Sequence, residues 1–363
     1  MSITSETLVT QILSTGEAEL EMTIAQAVET LLLGGCVGMP TETVYGLAAD
    51  ALNPMAIARV FETKRRPAFD PLIVHVTPEM DLSQWVELTE TGRQLMKQFW
   101  PGPLTLLLRK KEVISDLVTS GHPTVAVRCP AHPVARALLN TFGGPLVAPS
   151  ANLFGQLSPT SAEAVLEGLS GRLRYIIDGG ACRVGLESTI VDATASPPAL
   201  PILRLGGISP DVLSELGYTL TFPTPIIGQA PGTLKNHYAP RTPLFLWDSM
   251  REQPRLSKRG ELETQSPDEK LQVFPDRWAF LGWSRPQDGF KMSWALSERG
   301  SSTEAAVHLF SSLRSIDQNR CEGAIAELPP LHGLGAAIAD RLRRGASGFV
   351  TYSEKSWRLV SDE

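Results

Sequence analysis

At 363 residues the chain exceeds one ordinary domain and fits about two. Hydrophobic residues at 42% and charged residues at 20% exclude collagen-like, coiled-coil and wholly disordered chains. Thirty-three Lys and Arg against 39 Asp and Glu give a formal net charge of -6, which argues against a protein that coats a phosphate backbone, so any nucleic-acid contact must be local.

Four widely spaced cysteines form no C-x-x-C pair and point to reduced thiols. The first residues lack a basic segment leading into an apolar run, and no apolar stretch is long enough to span a bilayer, so a cytoplasmic protein without a membrane partner is expected.

Helical and β-rich segments interleave over residues 20–220, the pattern of an α/β sheet. Residues 23–33 have helical apolar spacing and stop at Gly34-Gly35; Cys36-Val-Gly-Met-Pro40 then reads as a strand entering a loop. Asn53 as N-cap and Pro54 at the first helical position open a helix that runs to about Lys64. Residues 72–76, 104–108, 124–128, 174–178, 188–192 and 202–204 are strand candidates, several apolar on both faces as a covered sheet requires. Residues 221–243 hold too many Pro and Gly for a regular element and read as an inter-domain linker. Residues 244–363 alternate again, with strands at 244–247, 278–282 and 323–326, helices at 303–316 and 335–342, and a charged loop over 249–270.

No phosphate-binding G-x-x-x-x-G-K-[ST], zinc spacing or G-x-S-x-G elbow occurs, and Gly333-Leu-Gly335-Ala-Ala-Ile338 reads as a loop entering a helix. What remains is polar residues at strand ends. Thr43 leaves one strand, Ser150 and Asn152 another, and Gly185-Leu-Glu-Ser188 approaches a third through glycine. Each alone is equally a capping turn, Lys64-Arg65-Arg66 alone is a solvated helix end, and His75 is as much a satisfied core histidine as a ligand contact. Together with Arg128 they make a pocket for phosphates and a small carboxylate.

The combination Pro40-Thr-Glu-Thr-Val-Tyr-Gly-Leu47, Lys64-x-Arg66-Pro, Pro71-Leu-Ile-Val-His75, Trp100-Pro-Gly-Pro-Leu-Thr105, Val125-Ala-Val-Arg128, Ala148-Pro-Ser-Ala-Asn152 and Glu187-Ser-Thr-Ile-Val-Asp192 resembles the YrdC/YwlC family of threonylcarbamoyl-AMP synthases. His237-Tyr-Ala-Pro240 and Gly333-Leu-Gly335-x-Ala-Ile-x-Asp340-Arg-Leu342 resemble its long, two-domain form. The resemblance implies a twisted mixed-sheet α/β catalytic domain, a smaller Rossmann-like α/β domain, and a nucleotidyltransferase that joins L-threonine, bicarbonate and ATP with release of pyrophosphate. Mg2+ would arrive with ATP, with no resident metal, and a tRNA threonylcarbamoyl-transferase complex would act downstream.

By the same resemblance Lys64 and Arg66 carry the catalytic role and, with Thr124, Ser150, Asn152, Ser158 and Arg204, face ATP, while Thr43, His75, Arg128 and Ser188 hold threonine; Tyr238, from its place in the linker, is expected to bond a phosphate of ATP or the threonyl group. Arg128 would pair with the substrate carboxylate, and Tyr238 in the linker would seal the pocket from water. Arg65 stands where the family usually has glycine, and Asp70 where it has asparagine; a carboxylate there repels a triphosphate unless Mg2+ intervenes, so Asp70 is left outside the site. Two alternatives stay open: an RNA-binding module without catalysis, seeded by Arg59, Lys64, Arg65 and Arg66, and a carbamoyl-adenylate enzyme like that of hydrogenase maturation, whose zinc finger the cysteine spacing here does not offer.

Overall fold

The computed structural model describes residues 8–223, 231, 238–250, 273, 275–353 and 356–360. The first domain runs β1 (Gln11–Leu13), α1 (Leu20–Leu32), β2 (Val37–Met39), β3 (Gly46–Asp50), α2 (Pro54–Lys64), β4 (Ile73–His75), β5 (Val86–Glu87), α3 (Glu90–Phe99), β6 (Leu104–Lys110), α4 (Asp116–Thr119), β7 (Thr124–Arg128), α5 (Pro133–Phe142), β8 (Leu146–Val147), α6 (Ala162–Leu169), β9 (Tyr175–Ile177), β10 (Thr189–Asp192), β11 (Ala199–Arg204), α7 (Pro210–Glu215) and β12 (Thr219–Thr221). Its strands form one mixed twelve-stranded sheet ordered β1-β9-β2-β3-β8-β4-β7-β6-β10-β11-β12, with β5 beside β6.

Alternation along the strands divides the core. Leu47 packs with α2, α3 and α6 through Ile57, Val60, Leu95 and Val165, whereas Ala48 belongs with Ile24 and Leu31 of α1 and Leu138 of α5. Helix α2 begins as its sequence dictates: the Asn53 side chain accepts from Met55 N at 2.9 Å, and Pro54 needs no partner for a missing N–H. It ends where Arg65 turns left-handed at φ 51°, a strained conformation for a side-chain-bearing residue that glycine adopts freely.

The second domain comprises β13 (Leu244–Trp247), β14 (Ala279–Gly282), β15 (Met292–Ala295), α8 (Ser302–Gln318), β16 (Ala324–Glu327), α9 (Gly335–Gly345), β17 (Gly348–Ser353) and β18 (Ser356–Val360). Its sheet, ordered β15-β14-β16-β13-β17-β18, is parallel up to the closing β17–β18 hairpin. Helices α8 and α9 cover one face through Leu309, Leu313 and Ile338, and this core also takes in Val44, Leu157 and Leu186 of the first domain. The other face is aromatic, with Phe245 stacked on Trp278 at 5.5 Å.

The second domain meets the first domain at one glycine and the linker at another. A Cβ on Gly185, at φ +76°, would lie 2.3 Å from the Ala306 carbonyl oxygen of α8, and one on Gly345 would lie 2.6 Å from the Tyr238 carbonyl oxygen.

Several elements differ from the sequence reading. β1 extends the sheet before residue 20, and β3 was not anticipated because Gly-Leu-Ala-Ala-Asp lacks β-branched residues; antiparallel pairing with β2 and β8 makes it a strand. β15, β17 and β18 also went unread. Most of the linker, including His237, and most of the expected charged loop lie outside the described residues.

Candidate active site

Mixed strand direction builds the site. Parallel β4 and β7 end side by side at His75 and Arg128, and Arg128 is in register with Thr105 on antiparallel β6. Thr105 in turn pairs with Ile190 on β10, which pairs with Arg204 at the end of β11. Residues far apart in the chain therefore share one sheet edge because of register alone.

A single cavity at this edge is lined by Thr43, Arg66, His75, Arg128, Ser150, Ser188, Arg204 and Tyr238, together with Thr41, Glu187 and Pro231 among others. Lys64, Thr124, Asn152 and Ser158, also expected to face ATP, are not in its lining. Lys64 sits behind it, its Nζ donating to the carbonyls of Ser150 and, at 2.7 Å, Asn152, so it fixes the loop that carries Ser150. Asn152 donates from Nδ2 to Leu153 O and Gln156 O at 2.7 and 2.9 Å and closes its own turn. The Ser158 hydroxyl donates to Glu187 Oε1 at 2.5 Å. Thr124 begins β7, four residues and roughly 13 Å from the strand end that carries Arg128.

Arg128 is not the unoccupied fork the sequence suggested. Its Nη2 donates to Glu42 Oε1 at 2.6 Å, Nη1 to Thr43 Oγ1 at 2.8 Å and Nε to Gly102 O at 3.2 Å. Glu42 Oε2 also accepts from Ala131 N at 3.0 Å, so this carboxylate locks the arginine beside β7. Glu42 was missed because the motif reads as a turn; its signal was an acidic residue between two threonines in the loop joining the apolar β2 to β3.

Arg66 is held just as firmly. Nε donates to Asp70 O at 3.0 Å, Nη2 to Pro71 O at 2.8 Å, and the Asp70 carboxylate lies 2.9 Å from Nη2. Asp70 thus partners the cation instead of confronting a phosphate directly. Burial pushes the Asp70 carboxyl up, with Arg66, Lys64 and Arg204 pulling the other way. Burial, aided by Arg66 and opposed by Asp70, holds the Lys64 ammonium well below its ordinary range. His75 is pushed down to about 3 by burial and by Arg128, so its imidazole is neutral near neutral pH, with Nδ1 3.2 Å from Ile73 O.

At the far wall Ser188 Oγ and Thr105 Oγ1 stand 2.7 Å apart, and Arg204 donates from Nη2 to Ser188 O at 2.9 Å and from Nη1 to Pro231 O at 3.1 Å. Burial would raise the Glu187 carboxyl, but Arg341, Arg204 and the Ser158 hydroxyl outweigh it and hold it below the usual range. Tyr238 is buried, and its phenol is pushed up to about 12 by burial and Glu187, against Arg341 and Arg204. Its ring lies 4.9 Å beneath the Arg341 guanidinium. Glu187, Thr105 and Arg341 were not foreseen as site residues.

Among the described residues no group of three or more His, Cys, Asp or Glu is placed to hold a metal ion. The nearby carboxylates Glu42, Asp70 and Glu187 are each paired with an arginine. No described helix is long and apolar enough to cross a membrane.

This arrangement defines a two-domain α/β protein with a cationic, hydroxyl-lined cavity at one edge of a mixed sheet. A family model described as "Telomere recombination" matches residues 29–206, and one described as "Threonylcarbamoyl-AMP synthase, C-terminal domain" matches residues 213–347. A threonylcarbamoyl-AMP synthase of Pyrococcus abyssi is 39% identical over 323 residues, covering 87% of this chain and 91% of the relative. That of Bacillus subtilis is 38% identical over 354 residues, covering 94% and 97%. The crystal structure of P. abyssi Sua5 complexed with L-threonine matches with a TM-score of 0.81 at 34% identity, over 93% of this chain and 98% of that one. The chain belongs to the threonylcarbamoyl-AMP synthase family.

Proposed function

We propose that this protein makes threonylcarbamoyl-AMP from L-threonine, bicarbonate and ATP, releasing pyrophosphate, as the first step toward threonylcarbamoyladenosine in tRNA. The observation that carries the proposal is the convergence of Thr43, Arg66, His75, Arg128, Ser150, Ser188, Arg204 and Tyr238 on one cavity. In this reading the threonine carboxylate lies against Arg128 and Thr43, while neutral His75 and Ser188 orient the rest of the amino acid. The threonine nitrogen bonds to the carbon of bicarbonate with loss of water, and a carbamate oxygen then attacks the α-phosphorus as the bond to pyrophosphate breaks.

No protein nucleophile enters this sequence; the chain's work is placement and charge. Arg66 and Arg204 are already fixed by protein carbonyls, so they present positive charge to the phosphates without reorganising. Lys64 acts from behind by fixing the Ser150 loop. Mg2+ would be carried by the triphosphate. Tyr238 closes the cavity over an intermediate that water destroys, which gives its burial a chemical purpose.

The RNA-binding alternative loses two of its four cations, since Lys64 and Arg66 are buried and only Arg59 and Arg65 stay exposed. To test the reading, the purified chain is incubated with ATP, Mg2+ and bicarbonate, with and without L-threonine, and pyrophosphate is measured. Release should require threonine and bicarbonate together; release indifferent to threonine would exclude the reaction. In Tyr238→Ala, ATP consumption should exceed the recovered threonylcarbamoyl-AMP.

A further inference from the structure

We infer that Arg341 of the second domain is a positioning residue of the active site, setting the placement of Ser188 and Arg204 from behind the cavity. This rests on the reaction proposed above and gives the second domain a part in it.

Arg341 lies on α9 and is 1% exposed. Its Nε donates to Glu187 Oε2 at 2.8 Å and its Nη2 to Leu205 O at 2.7 Å. Glu187 immediately precedes Ser188, and Leu205 immediately follows Arg204. One planar cation thus ties together the chain neighbours of two cavity residues, at the start of β10 and the end of β11. Its remaining end is anchored at home, with Nη1 donating to Asp340 Oδ2 at 2.7 Å.

The contact has little slack. Glu187 spends its other oxygen on Ser158, and Arg204 itself donates to the Ser188 carbonyl and hydroxyl. A Cβ on Gly206 would lie 2.3 Å from Glu187 O, so these two segments touch backbone to backbone. The Arg341 guanidinium also lies over the Tyr238 ring, at 4.9 Å. Apolar packing would hold two domains together as well as a buried ion pair does, so stability alone does not call for a cation here. Fixing a carboxylate, a carbonyl and an aromatic face at once does, and only the guanidinium fork has donors for that geometry; lysine would keep the charge and lose the fork.

The test uses the full chain carrying Arg341→Met or Arg341→Lys, with kinetics of pyrophosphate release and amide hydrogen exchange measured together. In Arg341→Met the KM for threonine should rise about tenfold or more while turnover falls, as expected when groups that hold substrate are displaced. Exchange should quicken in residues 185–189 and 203–206 and stay unchanged in α2. Arg341→Lys should keep a raised threonine KM despite its charge. Should Arg341→Met fail to fold, the Glu187→Gln/Arg341→Met pair, which removes both members of the ion pair together, is compared with Glu187→Gln alone by the same criteria. A folded variant with wild-type KM, turnover and exchange would overturn the inference, whatever its melting temperature. A wild-type chain with no threonine-dependent release would overturn the functional reading instead, and the exchange result would still decide the role of Arg341.

Discussion

Among the described residues the first domain buries Glu42, Lys64, Arg66, Asp70, His75, Arg128, His132, Glu187 and Arg204, whereas the second buries few charged groups, chiefly Arg341, which reaches into the first, and the Asp317 carboxylate beside Arg241. The second domain is built as a scaffold, with aliphatic residues between sheet and helices and aromatic residues on the other face. Charge in a protein interior is costly unless it is paired, and a sheet edge that pairs so many ions gains little stability from them. The difference agrees with the proposed site: in that reading the first domain accepts this cost so that cations stand fixed before the substrates arrive.

Breaking one of those pairs should have the largest effect. Glu42→Ala leaves Arg128 buried without its carboxylate, which should lower the unfolding free energy by about 3–5 kcal/mol in a denaturant titration. An unchanged midpoint would mean that the pair is not buried in solution.

Removing either cation of the Lys64-x-Arg66 element should come next. Lys64→Ala and Arg66→Ala should each slow pyrophosphate release by roughly 10²-fold, Arg66 through lost charge and Lys64 through a displaced Ser150 loop. The routes separate in binding measurements: Arg66→Ala should flatten the salt dependence of ATP binding, while Lys64→Ala should weaken binding with a salt dependence near that of the wild type. Wild-type rates in both would remove the pair from the site.

His75 carries a pH signature. The folded protein resists protonating it until about pH 3, while an unfolded chain takes up that proton near 6.5, so acid favours unfolding across this interval. Stability is therefore lost as pH falls from 6.5 toward 3, and His75→Gln should remove on the order of 2 kcal/mol of that loss at about pH 5. Parallel stability–pH curves for wild type and variant would contradict the assignment.

The smallest effect is expected at the surface. Arg93 and Glu90 approach to 3.9 Å with side chains 58% and 71% exposed, and Arg93→Ala should change stability by less than about 1 kcal/mol.

Much of this fold was legible in the sequence where a local rule decides the structure. Asn53-Pro54 caps a helix wherever it lies, and the apolar runs around Val74, Leu106 and Val125 have no alternative to a covered sheet. β3 was not legible, because its small residues became a strand only through their partners, whereas β17 and β18 carry Phe, Val, Thr, Tyr and Trp, a strand signal that went unread. The site followed the same division. Strand-end hydroxyls and arginines could be named from their motifs, but who pairs with whom depends on register: Glu42 with Arg128, Glu187 with Arg341 across 154 residues, and Lys64 turned to carbonyls behind the cavity.

The most direct measurement follows the carbon. Isotopically labelled bicarbonate is given to the wild-type chain with ATP, Mg2+ and L-threonine, and the nucleotide product is separated and weighed. Label should appear in a species containing both threonine and AMP, in an amount equal to the pyrophosphate released. Pyrophosphate release with no labelled carbon in such a species would contradict the assignment of the buried cavity to threonylcarbamoyl-AMP synthesis.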